Sequence, residues 1–302
     1  MMNSISKEKT KQLKGIAIFL VVICHILNQY TRYATPLGGI GVSIFLFLSS
    51  YGLCHSLCKN GLTDFWKKRF FNVVTPYWIV EFFLYMIFIH PYLKEVILDL
   101  TFIHVLHPIG WYLNYLFVWY AIFWMVMMFT KDDRDKFVAF MIAAFTLSLY
   151  SFFYSSIRFE QSFSFLLGLF FYKMKNSDIV LGKKVLIACF VLAVAGLAIK
   201  QLNIVRAIPQ YLNILDLIVK TSCLLFVINL SFRVNTNYNV FNILGGYSYE
   251  IYLIHGAFLI LYHLDINKNI STFIIVVFTI ILCPLLKKLA NRINGFSCSI
   301  WG

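Results

Sequence analysis

Apolar runs long enough to cross a lipid bilayer recur from one end of this 302-residue chain to the other. Of its residues, 60% are hydrophobic and only 13% are charged, whereas about a quarter of the residues in an average soluble domain are charged. A helix of about 20 apolar residues spans the hydrocarbon layer and satisfies its own backbone hydrogen bonds. The sequence therefore predicts an all-α fold, a polytopic membrane helix bundle.

Polar breaks and breaks that contain Pro or Gly divide the chain into about ten predicted transmembrane helices. No soluble extension and no linker tract interrupts the series, so residues 1–302 are expected to form a single integral membrane domain. The predicted spans lie near residues 14–31, 37–57, 73–91, 110–129, 136–155, 160–174, 183–200, 212–231, 242–262 and 270–289.

The basic residues predict how the bundle is oriented, because Lys and Arg accumulate in short cytoplasmic loops. If the N-terminus is cytoplasmic, 19 of the 26 Lys and Arg residues lie on the cytoplasmic side. We therefore expect both termini to be cytoplasmic, and the net charge of +13 to face the headgroups of the lipid bilayer. The basic residues border the spans and form no patch with interleaved aromatics, so no nucleic acid partner is expected.

The first span carries ionisable residues along one stripe. At about 100° per residue, Lys14, His25 and Arg32 share one face of a helix, and His25 lies roughly 16 Å beyond Lys14, near the expected middle of the hydrocarbon layer. A histidine at that depth is costly unless it is paired or faces a wet cavity. Two interpretations stay open: a proton-handling base in a membrane enzyme, and a structural histidine bonded to a neighbouring helix.

Two further segments carry small or basic side chains. The stretch from Gly38 to Gly52, which includes Ser43, either lets helices pack closely or leaves backbone exposed beside a ligand. Lys67, Lys68 and Arg69 precede the third span and suit the phosphates of a cytosolic cofactor. The ordinary positive-inside bias explains the same three residues.

The later spans contain isolated charges. Glu250 and His255 lie among apolar residues of the ninth span, and Asp216 and Lys220 are spaced four apart, which predicts a helical ion pair. The seven cysteines lack a paired C-x-x-C framework, so no metal site is expected. If His25, Glu250 and His255 relay protons, the chain is instead a proton-coupled secondary transporter or a flippase of an envelope glycan precursor.

In their order, these segments resemble the acyltransferase-3 family of integral membrane acyltransferases. The resemblance covers the first 80 residues, the region 107–120 and the segment 244–256. It rests on Lys14 and His25 in the first helix, the glycine-rich stretch Gly38 to Gly52, the basic stretch Lys67 to Trp78, the His107 to Leu113 stretch with its Trp-Tyr-Leu sequence, and Ser248 to His255.

Three positions depart from the family pattern. Lys14 replaces the usual Arg, which keeps the charge and loses a planar two-pronged donor. Ser43 stands where many members have Asp, and Asn72 stands where a second Arg follows Arg69. These departures remove a carboxylate and a guanidinium from the expected site.

The resemblance implies an O-acyltransferase of the bacterial inner or plasma membrane. Its expected reaction moves an acetyl group from acetyl-CoA to a hydroxyl of a cell-surface polysaccharide or its lipid-linked precursor, with His25 as general base. We expect the oxyanion to be stabilised by Lys14 or by donors of the glycine-rich span. Lys67, Lys68, Arg69 and Ser43 are expected to bind the acetyl-CoA. The glycan acceptor is expected at Asn28, Trp111, Asn114, Glu250 and His255. A family member without activity, acting as a subunit of an envelope assembly, is a further alternative.

Overall fold

Helices make up the structure around short connecting turns. The structure is a computed structural model that describes residues 5–174, 182–233 and 239–301, and no strand occurs in these ranges. In chain order the helices are α1 (Lys7–Leu27), α2 (Thr35–Asn60), α3 (Phe65–Ile89), α4 (Leu93–Leu100), α5 (Trp111–Phe129), α6 (Asp133–Tyr154), α7 (Ser156–Phe159), α8 (Ser164–Lys173), α9 (Lys183–Ile199), α10 (Asn203–Arg206), α11 (Pro209–Arg233), α12 (Asn239–Gly246), α13 (Ser248–Phe258) and α14 (Lys268–Trp301).

Seven helices in the described ranges are long and apolar enough to cross a membrane, namely α1, α2, α3, α5, α6, α11 and α14. The other three predicted spans are also helical but shorter: α8 has 10 residues, α9 has 17, and the ninth span is divided into α12 and α13 at Tyr247. The sequence analysis did not predict the short helix α4. The all-α fold is confirmed, and the chain is a multi-pass membrane protein.

Helix α1 begins and ends at residues suited to capping. The Ser6 hydroxyl accepts a hydrogen bond from the Lys9 N–H, and the N–H of Asn28 closes the last turn on the Cys24 carbonyl. The helix therefore stops before Arg32, which opens a separate 3-10 turn and whose side chain lies outside the described part. The predicted stripe stops at His25, which lies in the last turn of α1 and not near its middle.

The glycine-rich stretch of α2 is a packing surface. A Cβ atom at Gly41 would lie 2.5 Å from the Ala17 carbonyl oxygen of α1, and one at Gly38 would lie 2.8 Å from the Cys24 sulfur. A Cβ at Gly39 would meet the Lys220 side chain of α11 at 2.3 Å. Close approach between neighbouring helices therefore explains these three glycines. Small residues at the interfaces of membrane helices usually permit such an approach.

Two apolar cores hold the bundle together. One surrounds α5, whose Trp119, Leu113 and Phe123 are fully buried against α3, α8 and α13. The other lies between α1, α2 and α11, and includes Leu13, Phe47 and Leu224. These cores leave the outer faces of α6 and α9 apolar and exposed, which fits helices that contact lipid.

The start of α3 and the later part of α14 meet at one end of the bundle, beside the first turns of α1. The Tyr249 hydroxyl of α13 donates to the Val73 carbonyl at 2.7 Å, and the Asn294 amide of α14 donates to the Phe71 carbonyl at 3.1 Å. The Lys287 ammonium donates to the Gly246 carbonyl. We call this end, which the positive-inside rule predicts to be cytoplasmic, the N-terminal end.

A buried network of four charges joins the loop after α7 to α9 and α11. The Lys220 ammonium, only 3% exposed, pairs with Glu160 at 2.5 Å and with Asp216 at 2.6 Å. Lys200 pairs with the same Asp216 oxygen at 2.6 Å. The predicted pair of Asp216 and Lys220 is therefore present, and the two cations balance the two anions.

Replacing Asp216 with Asn should destabilise the protein by about 3 kcal/mol, because it leaves two lysines with one carboxylate in a buried setting. The matched control is Asp133→Asn, whose carboxylate pairs with Lys136 and Lys173 but is 74% exposed, against 17% for Asp216. Equilibrium unfolding in detergent should separate the two variants. Equal stability of D216N and D133N would contradict a structural role for the network.

Candidate functional site

A pair of histidines from distant parts of the chain forms the centre of the candidate site. His25 Nδ1 lies 3.1 Å from His255 Nε2, and the two rings stack with centroids 5.3 Å apart. His25 comes from the last turn of α1 and is partly exposed, whereas His255 of α13 is 1% exposed. The contact therefore joins α1 to α13 through their imidazoles.

The hydrogen bonds of His255 determine which nitrogen of His25 carries a proton. His255 Nδ1 lies 2.6 Å from the Ile251 carbonyl oxygen, which only accepts, so Nδ1 must donate. Deep burial favours a neutral ring, and His255 Nε2 then accepts a hydrogen bond from His25 Nδ1–H. His25 Nε2 is left as a lone-pair nitrogen, and it has no hydrogen-bond partner among the described residues.

A third histidine, His107, packs beside this pair. It lies in the segment between α4 and α5, and a Cβ at Gly256 would come within 2.4 Å of its Cε1 atom. Its Nε2 donates to the Leu253 carbonyl at 2.9 Å, and its Nδ1 accepts from the Ile109 N–H. Burial lowers the pKa of His107 to about 4, so its ring is neutral near pH 7.

The segment that carries His107 is fixed by a buried carboxylate, Asp99 of α4. One carboxylate oxygen of Asp99 accepts from the Tyr77 hydroxyl at 2.5 Å and from the Leu106 N–H at 2.8 Å, and the other accepts from the Tyr85 hydroxyl. No pattern in the sequence predicts this role of Asp99, and His107 is predicted only as part of the stretch from His107 to Leu113. The sequence signal for Asp99 is its position as the single acidic residue in the apolar second half of α4.

Lys14 lies far from the histidine pair along the same helix. Eleven residues separate Lys14 from His25, which is about 16 Å of helix rise. Its electrostatic neighbours are Glu250 of α13 and Lys287 of α14. The structure therefore groups Lys14 with Glu250 toward the N-terminal end and does not bring Lys14 to His25.

The predicted phosphate-binding residues divide into two groups. Lys67 and Arg69 line one cavity of about 510 Å³ at the start of α3, together with Trp66, Phe70, Phe71, Val74 and Phe117, whereas Lys68 does not line it. The Arg69 guanidinium lies 3.9 Å from the Phe65 ring centroid and donates to the Phe65 carbonyl.

Directly after Arg69, α3 contains a wider turn over Phe70–Val74, with the Thr75 N–H bonded to the Phe70 carbonyl. Such wide turns are frequent at functional sites.

The remaining predicted site residues lie apart from the histidine pair or have internal partners. The Ser43 hydroxyl is fully buried and bonds Gln161 at 2.7 Å, away from the basic cavity. The Asn28 side chain bonds the Cys24 sulfur and the Thr35 hydroxyl, and the Asn114 amide donates to the Phe102 carbonyl. Trp111 is the first residue of α5 and is partly exposed.

Comparison with known proteins identifies one family. The family model described as an acyltransferase domain, of the acyltransferase-3 type, matches residues 11–288. The match includes the histidine pair, His107 and the basic cavity. No curated protein and no solved structure matches the chain.

The hydrogen-bond pattern predicts that His25 is protonated on Nδ1 and not on Nε2. Nitrogen-15 NMR of histidine-labelled protein, assigned with a His25→Gln variant, should show an unprotonated Nε2 for His25. The variant His255→Phe should shift His25 toward the Nε2-protonated tautomer, because the acceptor of its Nδ1–H is lost. The variant His55→Phe, at an exposed histidine of α2, is the control. A wild-type His25 with a protonated Nε2 would contradict the assignment.

Proposed function

This chain belongs to the acyltransferase-3 family and is an acyltransferase, and we propose that it transfers an acetyl group from acetyl-CoA to a hydroxyl of a cell-surface polysaccharide or its lipid-linked precursor. The observation that carries the proposal is the free Nε2 of His25. His255 orients the ring through its other nitrogen, as a general base requires.

The proposed reaction uses His25 as a proton carrier. Nε2 takes the proton of the acceptor hydroxyl while the hydroxyl oxygen attacks the carbonyl carbon of the thioester. The new C–O bond forms, the C–S bond breaks, and the imidazolium returns the proton to the departing thiolate of CoA. His255 accepts a hydrogen bond from Nδ1 throughout, which holds the ring in place as positive charge develops. The products are the O-acetyl ester and CoA, with no net change in protons.

We place the phosphates of acetyl-CoA at the cavity of Lys67 and Arg69. Its basic side chains supply charge, and Trp66 and Phe117 supply flat apolar surface. Helix α13 runs from this cavity toward the histidine pair, because Tyr249 bonds Val73 beside the cavity and precedes His255 by six residues, or about 9 Å of helix rise. The acyl end of the donor then points from the N-terminal end toward His25.

The position of Lys14 supports a role in the approach of the donor and not at the reacting carbonyl. Lys14, Glu250 and Lys287 form a mixed-charge group toward the N-terminal end, away from the histidines. A net positive group there attracts an anionic donor without placing a charge on His25. We do not assign stabilisation of the oxyanion to any side chain of this group.

The acceptor is proposed to approach from the opposite end of the bundle. His25 lies in the last turn of α1, with Asn28 just beyond it, and Trp111 and Asn114 lie in the first turn of α5. Membership of an acyltransferase family favours an enzyme over the transporter considered above.

Replacing His25 with Ala should lower acetyl transfer by about 10²- to 10⁴-fold, the usual contribution of a positioned base. Membranes that contain the variant, radiolabelled acetyl-CoA and envelope glycans provide the measurement. His55→Ala, which alters an exposed histidine, should leave the rate unchanged. Transfer at the wild-type rate by a correctly inserted H25A variant would exclude His25 as the base, and absence of transfer by the wild-type chain would favour a non-catalytic subunit.

The two neighbouring lysines of α3 provide a matched test of the donor site. Lys67→Gln should raise the KM for acetyl-CoA by about tenfold, since a lost charge-assisted bond to phosphate costs about 1.5 kcal/mol. Lys68→Gln removes the same charge outside the cavity and should change KM little. Steady-state kinetics at fixed acceptor concentration separates them. Equal effects of the two variants would indicate general electrostatic attraction and contradict a phosphate site in this cavity.

A further inference from the structure

A groove on the lipid-facing side of the bundle leads toward the histidine pair. A groove of about 370 Å³ runs between α1, the α12 and α13 pair, and α14. Phe19 and Val22 form its α1 wall, Ile243 lies on α12, and Ile280 lies on α14. The deep end of the groove reaches His255. Phe19, Ile243 and Ile280 are exposed, so the groove opens sideways to the surroundings of the bundle. We call it the α1–α14 groove.

The α1–α14 groove continues into a basic cavity toward the N-terminal end. This cavity, of about 420 Å³, is lined by Lys287, Lys288, Asn291 and Arg292. Tyr247 and Pro284 line both spaces, so the two adjoin. Pro284 lies within α14, where it supplies no N–H to the helix.

The three basic side chains of this cavity are not neutralised. None of Lys287, Lys288 and Arg292 takes part in an ion pair in the described part of the chain. The Lys287 ammonium donates to the Gly246 carbonyl and lies 4.6 Å from the Tyr247 ring centroid, which fixes its position. Glu250 interacts electrostatically with Lys287. One carboxylate against three cations leaves a positive cavity next to an apolar groove.

We propose that the α1–α14 groove and its basic cavity bind one anionic phospholipid, with an acyl chain in the groove and the phosphate at Lys287, Lys288 and Arg292. Basic pockets between membrane helices on the cytoplasmic side bind acidic headgroups, and each basic residue near the surface contributes about 1 kcal/mol. The charged headgroup of such a lipid matches the basic cavity, and its acyl chain matches the apolar groove. The lipid belongs to the leaflet at the N-terminal end.

The lining of the groove favours a lipid over a second donor site. The pantetheine arm of CoA carries two amides, whose N–H and C=O groups are costly to bury without partners. Beyond Tyr247 at the entrance, the polar side chains along the groove are those of His255 and Thr279. His255 Nδ1 and Nε2 are already bonded. A hydrocarbon chain brings no polar group into the groove, whereas the two pantetheine amides would find only the Thr279 hydroxyl unpaired there.

This site goes beyond the proposed function and does not depend on it, since binding can be measured without turnover. Native mass spectrometry of the purified full chain compares phosphatidylglycerol with phosphatidylcholine of the same acyl chains. We expect at least tenfold tighter retention of phosphatidylglycerol. The triple variant Lys287→Gln, Lys288→Gln, Arg292→Gln should lose that preference. Ile280→Trp, which fills the groove from an exposed position, should weaken retention of the lipid at least fivefold.

The control removes the same charge elsewhere on the predicted cytoplasmic side, by Arg134→Gln, Lys183→Gln and Lys184→Gln at exposed positions. It should keep the wild-type preference. Size-exclusion chromatography and circular dichroism verify the fold of each variant. Equal retention of the two lipids, loss of the preference in the control, or no effect of Ile280→Trp would each overturn the proposal. Binding of glycerol phosphate as tightly as the lipid would also overturn it, because the groove would then contribute nothing to binding.

Discussion

The hydrogen bond between His25 and His255 is the contact on which the organisation of the site depends. It requires that the backbones of α1 and of the α12 and α13 pair come very close together. Gly15 and Gly245 permit this, since a Cβ at Gly15 would meet the Phe241 carbonyl oxygen and one at Gly245 would meet that of Lys11. The bond to Ile251 then orients His255, and His255 orients His25. The packing of the helices thereby determines which nitrogen of His25 carries the proton.

The polar groups inside the bundle follow an order along its axis. Basic side chains and the mixed group of Lys14, Glu250 and Lys287 lie toward the N-terminal end, and neutral imidazoles lie beyond them. In the proposed reaction, the cations attract the anionic donor, and the donor meets an uncharged base beyond them. Placing the cations away from His25 avoids a buried unpaired charge beside the reacting atoms.

Composition and hydropathy were enough to predict the helical fold and seven helices long enough to cross a membrane, whereas the role of His25 stays a prediction. They did not predict the division of the ninth span, because Tyr247, whose φ of -116° and ψ of 14° lie outside the helical range, sits within an apolar segment without a polar break. Glycines in α2 looked equally suited to ligand binding, and only the approach of Ala17, Cys24 and Lys220 identified them as packing residues. Contacts such as His25 with His255, 230 residues apart, leave no periodic signal in the sequence.

The central claim is that His25 catalyses acetylation of an envelope glycan. Mass spectrometry of envelope glycans tests it most directly in cells that produce the wild-type chain, the His25→Ala chain or no chain. With the wild-type chain alone, we expect a mass increase of one acetyl group per modified unit. The same increase with the His25→Ala chain, or no difference between the wild-type chain and its absence, would contradict it.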